Sequence, residues 1–180
     1  MRASQADKAK SRERIVASAA RLMRERGLDG ASVNDVMRDA GLTHGGFYRH
    51  FPDKDGLAAA AITAAFDAFI EAPHDILGAK GAKTFTDVYL SELHVDNPSH
   101  GCPIPALAAD VARASAPLKA AFGDGISRIA ARLAAERPGE DADTAALQHL
   151  AMLVGAVLIA RASDAKTAAR VLAAVRDAPR

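Results

Sequence analysis

An all-α fold is predicted by three features of the chain. Alanine is abundant while aromatic residues make up only 4% of the 180 residues, a composition that favours helices packed closely through small side chains. Apolar residues recur at intervals of three and four in segment after segment, the spacing of a one-sided helical stripe. Serine, threonine or aspartate precedes many of these runs, and glycine or proline follows them, as helix starts and stops require. With 49% apolar residues and this length, the chain can bury a core as one domain or two small ones.

In chain order, Met1 to Ala9 reads as a disordered polar arm. Arg2, Lys8, Lys10, Arg12 and Arg14 are its candidates for reaching a neighbouring groove, diluted by Asp7 and Glu13. The first helix is expected from about Lys10 to Arg26, with Ile15, Ala19, Leu22 and Met23 on one face, and Gly27 followed by Leu28 as its stop. Ser32 can cap a second helix, with Asp35 placed to complete a capping box. Val33, Val36, Met37 and Ala40 form its apolar stripe, and Gly41 ends it with Leu42 folding back. Thr43 then caps a third, short helix through Tyr48 and Arg49, which must stop near Phe51 because Pro52 follows. Two short helices joined by a tight glycine turn make a helix-turn-helix, whose second helix enters the major groove of DNA.

Two glycines, Gly45 and Gly46, fall inside that recognition helix, each costing about 1 kcal/mol relative to alanine. One reading is that they let the backbone approach a partner while His44, Tyr48, Arg49 and His50 contact phosphates and bases. The other is that one glycine clears a packing neighbour and the polar residues form a solvated face. Charge distribution bears on the choice. The net charge is +1, but residues 1–54 carry 11 Lys and Arg against 7 Asp and Glu, a net of +4, leaving −3 for the remainder. The positive end is the one with the helix-turn-helix.

The stretch from about Arg14 to Leu57 resembles the DNA-binding region of the TetR family of bacterial regulators. The resemblance is carried by the long first helix IVASAARLMRERGLDG, the second helix SVNDVMRDAGL, and FYRHFPDKDGL with its aromatic pair ahead of a Phe-x-x-Lys. It implies a three-helix DNA-binding head at 8–68, with its motif at about 31–50, and a helical ligand-binding and dimerisation domain at 69–180. The expected DNA-contacting residues are Ser32, Thr43, His44, Gly45, Tyr48, Arg49, His50 and Lys54. Asp53 can cap a fourth helix ending before Pro73, which places Lys54 in its first turn, where the positive helix end favours a phosphate and where the family uses a residue in that way.

Beyond this, Pro73 to Lys83 reads as a loop. Phe85, Val88, Tyr89 and Leu93 mark one amphipathic helix closed by Asp96 to Pro98, and PIPALAADVARA a short helix. Ala116 to Arg137 is a long helix with Leu118, Phe122, Ile126, Ile129 and Leu133 inward; its Gly123 and Gly125 either kink it or line a cavity. Ala145 to Ala160 is apolar on more than one face, with Ala151, Gly155 and Ile159 spaced by four, so one packing partner does not satisfy it. The last helix, Asp164 to Asp177, turns Ala168, Val171, Leu172 and Val175 to one side. By the resemblance, these two C-terminal helices pair with their two-fold mates in a homodimer.

A small apolar or amphipathic effector of unknown identity is expected between the middle helices, lined by Phe66, Phe69, Tyr89, Leu93, Leu107, Phe122 and Met152, with His94 and His149 as polar anchors. No hydrolase elbow, phosphate loop or zinc-protease motif is present, so no enzyme and no cofactor are expected. His94, His100 and Cys102 match no usual zinc spacing, and no metal site is expected. The lone Cys102 fits a reducing cytoplasm, and the 151–160 apolar stretch is too short for a bilayer. The expected function is a ligand-responsive repressor binding a palindromic double-stranded DNA operator as a dimer. The alternative is a ligand-binding or redox-sensing dimer, the latter acting through Cys102.

Overall fold

The computed structural model describes residues 5–71, 84–136, 139 and 141–178, and the described residues are helical with no strand. The expected loop at Pro73 to Lys83 lies outside them. Helix α1 (Gln5–Gly30) begins within the arm expected to be disordered, and Met1 to Ser4 lie outside the described residues. Gly27 interrupts α1 with φ 81°, where a side chain is strained, so the regular helix stops at Arg26 as the sequence implies. The Leu28 amide beyond the break is satisfied from far away, by Asp110 Oδ2 at 2.9 Å.

Helix α2 (Val33–Asp39) buries Val36 and Met37. Its end is a Schellman turn: Gly41, at φ 66°, donates to Arg38 O at 3.0 Å, and Leu42 to Met37 O at 2.8 Å. The next element, η1 (His44–Arg49), is a 3-10 helix and not the α-helix its register suggests. Two adjacent glycines oppose a full α-turn, and a six-residue run ahead of Pro52 is short enough for the tighter winding to close it.

Helix α3 (Lys54–Glu71) starts from Asp53, whose Oδ1 accepts the Gly56 amide at 2.7 Å, as expected. It packs along α1 and along α7 (Ala116–Ala135), and so runs from the N-terminal group into the rest of the molecule. Gly125 decides the second contact. A Cβ there would lie 2.2 Å from the Phe66 ring, so this glycine neither kinks α7 nor lines a cavity; it lets α7 press onto Phe66.

The single helix expected from Phe85 to Asp96 is two, α4 (Phe85–Tyr89) and α5 (Glu92–Asp96). Ser91 causes the break: its Oγ accepts the His94 amide at 3.2 Å and starts a new helix. The restart rotates the register, so Leu93 is 47% exposed and His94 is fully buried, the reverse of the periodic reading. Helix α6 (Pro103–Val111) follows, then α7, α8 (Ala142–Arg161) and α9 (Ala165–Arg176), the last starting where expected and capped by Asp164.

Helix α8 buries Ala146, Leu150, Leu153, Ala156, Val157 and Ala160 inside the chain, while Leu147, Leu158 and Ile159 are exposed. By length and composition the whole 20-residue helix, unlike its 151–160 stretch alone, is apolar enough to cross a membrane, and 28% of its apolar 18-residue window is buried. No residue of α9 is fully buried.

Candidate nucleic-acid interface

The helix-turn-helix is built on one inward aromatic and one outward. Phe47 is buried, stacked on Phe51 with ring centroids 6.0 Å apart, and anchors η1 to the core. Tyr48, its neighbour, is 71% exposed and meets Phe47 edge to face. A large aromatic left in water at the tip of a short helix has no packing reason to be there. Thr43, His44, Gly45 and Arg49 are exposed on the same element, and Thr43 occupies the N-cap position while its hydroxyl caps nothing.

The two glycines separate the two sequence readings. A Cβ on Gly45 would meet nothing within 4 Å, and one on Gly46 would make ordinary contacts, 3.7 Å from Met37 Cε. Neither glycine is required by internal packing. What the open face of Gly45 provides is a backbone that an outside surface can approach.

The remaining predicted residues divide. Ser32 is consumed by its own helix, accepting the Asp35 amide at 3.1 Å and donating to Asp35 Oδ2 at 2.5 Å. This is half of the expected capping box, since the aspartate returns to the hydroxyl and not to the Ser32 amide. Lys54 is half-buried and its Nζ lies 3.8 Å from Asp29 Oδ1, a loose pair with a solvent-exposed carboxylate that a phosphate can replace. His50 turns inward, against α1: its Nδ1 is buried without a hydrogen-bond partner among the described residues, and desolvation, then Lys8, Arg49 and Arg12, hold its pKa below the ordinary value. The cleft between α1 and η1 has a volume of ≈ 420 Å³ and includes Lys8, Ser11, Arg49 and His50. Sequence reasoning placed Lys8 on a disordered arm; the helix fixes it beside η1.

Residues 15–61 match the family described as bacterial regulatory proteins, tetR family. Over 117 residues the chain is 28% identical to the HTH-type transcriptional regulator LmrA of Bacillus subtilis (strain 168), a match spanning 62% of each chain. A TetR transcriptional regulator from Chloroflexus aurantiacus is 29% identical and superposes with a TM-score of 0.72, covering 96% of this chain and 93% of that one. Residues 15–61 thus match the TetR family's N-terminal region, and the whole chain is similar in fold to regulators of that family. A Cytophaga hutchinsonii TetR-family regulator, 22% identical, shares the fold with a TM-score of 0.74 over 98% of this chain and 96% of its own.

The residues expected around an effector do not share one cavity. Phe66, Phe69, Tyr89, His94 and Leu107 are buried against one another and their neighbours, with Phe66 edge-on to Phe122 and Phe69 stacked on the His94 ring. They fill the core where a cavity was expected. Leu93 faces solvent and Met152 is half-buried. A cleft of ≈ 240 Å³ opens instead between α4, α7 and α8, and of the predicted residues it includes His149, whose Nε2 lies 3.0 Å from Thr86 Oγ1.

His94 is a structural hub. Its Nδ1 bonds the Tyr89 carbonyl at 2.6 Å and its Nε2 accepts the Cys102 amide at 2.9 Å, which fixes the neutral tautomer. Burial holds its pKa at about 4. Gly101 has no room for a side chain, since a Cβ would lie 2.4 Å from His94 Cδ2. Cys102 is fully buried and desolvation raises its thiol to about 11, so it is protonated and shielded at neutral pH, unlike a reactive cysteine.

Proposed function

We propose that the chain is a ligand-responsive repressor that binds a palindromic operator in cytoplasmic DNA as a dimer. Residues 8–68 are its DNA-binding head, with the motif at about 31–50, and 69–180 its effector-binding and dimerisation domain. The observation that carries the DNA reading is the exposed face of η1: Tyr48 in water, Gly45 open, the Thr43 hydroxyl uncommitted. In the reading, Tyr48, Thr43 and Lys54 hold phosphates while His44 reads a base edge. Ser32 acts only through the helix it caps, and His50 only through the wall it forms with α1.

The uncovered faces of α8 and α9 support the dimer. Leu147, Leu158 and Ile159 share an apolar surface with the half-buried stripe of Val171, Leu172 and Val175 nearby, and a second copy covers it. Such a partner also accounts for the hydropathy of α8 without lipid. Two heads then stand about 34–36 Å apart, or a multiple of it, as half-sites demand. The effector reading rests on the His149 cleft.

The test is a mobility-shift titration against the DNA upstream of the coding region. Wild type is expected to shift a fragment containing a palindrome, and Tyr48→Ala to lose most of that affinity while melting at the wild-type temperature. No shift on upstream DNA, or full affinity in Tyr48→Ala, overturns the reading.

A further inference from the structure

Helices α1 and α3 leave between them a groove of ≈ 350 Å³. Val16, Ala17, Ala20, Ala64 and Ala68 line it, with Arg24 at one end and Arg12 and Glu13 at the other. Arg24 is the unusual member. It is only 8% exposed, and its Nε and Nη1 donate to neutral carbonyls, Ala20 O at 2.9 Å and Gly101 O at 2.8 Å. Its Nη2 has no hydrogen-bond partner among the described residues, and no carboxylate there pairs with it. A guanidinium taken out of water without a counter-ion is costly, and burial pulls its pKa down to about 10.

The walls define what can neutralise it. From Val16 to Arg24 the apolar floor covers two helical turns, about 12 Å, which suits a medium-length alkyl chain. At the far end Glu13 offsets the charge of Arg12, which lies over the Phe51 ring at 4.7 Å, so that end holds no net positive charge for a second carboxylate. We propose that this groove binds a small amphipathic monocarboxylate, its carboxylate paired with the free edge of Arg24 and its alkyl body laid on the alanine walls. The charge-assisted pair supplies orientation, and the apolar contact supplies the rest. Because the same guanidinium holds Gly101 O, an occupant bears on the junction between α1 and the turn before α6. Any effect on operator binding rests on the DNA reading above; the site itself does not.

The experiment is calorimetric titration of the full chain, without DNA, with decanoate, 1-decanol and decanedioate. Decanoate is expected to bind at one site per chain, with 1-decanol and decanedioate each about tenfold weaker or more. Arg24→Met also removes two structural hydrogen bonds, so the deciding variants are Ala17→Leu and Ala68→Leu, which fill the groove from its half-open side and leave Arg24 in place. Each is expected to weaken decanoate about tenfold while melting like wild type. No binding of decanoate, equal binding of 1-decanol, or unchanged affinity in both leucine variants overturns the proposal. Decanoate binding that persists in a protein that shifts no DNA sinks the repressor reading and leaves this one standing.

Discussion

Phe47 and Tyr48 are chain neighbours that face opposite ways, one into the core and one into water, and in the proposed reading the first side folds the head and the second binds. Residues on the outward side divide again by chemistry. Lys54 carries a charge with no base-reading geometry, so Lys54→Ala is expected to weaken all DNA sequences about equally and to lower the salt slope of binding by roughly one. His44→Ala is expected to change the preference between operators, with little effect on that slope. Filter-binding titrations at several salt concentrations on two operator variants separate the two; the same sequence-independent loss from both substitutions contradicts the assignment. Inside the body, His94 makes a prediction about acid. Its folded pKa of about 4 lies below the ordinary 6.5, so between those values the unfolded chain holds a proton the folded one lacks. Stability is therefore lost as pH falls from about 6.5 to about 4, by roughly 3 kcal/mol from this group, and is level with respect to it above and below. Urea unfolding at pH 7 and pH 4.5 measures it, and His94→Gln is expected to flatten the profile at the cost of a lower starting stability.

Helix ends were legible in the sequence, because a cap is a local contract among residues three or four apart. Ser32, Gly27, Gly41 and Asp53 do what their spacing implies, while the Thr43 hydroxyl, also expected to cap, does not. Elements whose form depends on a choice between two local structures were not. Ser91 reads equally well as a helix residue or as a cap, and once it caps, every side chain after it turns to a new face, which exposes Leu93 and buries His94. The glycines of η1 forecast a special surface but not the 3-10 winding. The convergence of Phe66 with Phe122 and of Phe69 with Tyr89 was foreseen, but the close approach at Gly125 was not: nothing in its neighbourhood announces Phe66, 59 positions earlier. That contact is testable at the level of the helix pair. Gly125→Ala improves helix propensity by about 1 kcal/mol yet drives a methyl into a ring, and overpacking typically costs about 1–3 kcal/mol, so the net expectation is a lower melting temperature. Gly123→Ala, on the open side of the same helix, is the control and is expected to raise it.

For the whole molecule the open question is what covers α8. A Cβ on Gly155 would meet nothing within 4 Å in the single chain, so Gly155→Leu is expected to be harmless to a monomer and damaging to a close two-fold contact. Light scattering at micromolar concentration is expected to give a dimer for wild type, and Gly155→Leu and Leu172→Asp are expected to shift it toward monomer and to abolish tight operator binding with it. A monomeric wild type that still binds its operator tightly contradicts the assembly. The apolar face was legible as a surplus of hydrophobic residues; its partner was not, because one chain carries no record of which surface a second copy presents.

The Cys102 amide, bonded to an imidazole nitrogen instead of a carbonyl, makes the turn before α6 readable in time as well as in space. A loop amide ordinarily trades its hydrogen with solvent in brief local openings, but here the acceptor ring is itself clamped by Tyr89 O and roofed by Gly101, so the ring cannot swing away while Tyr89, Gly101 and Arg24 hold. Its hydrogen exchange is expected to be as slow as that of the core of α7, although it lies outside any helix. Acceleration at Cys102 alone, on adding a ligand or operator, then reports that the joint between the first helix and the body has loosened before either half has unfolded.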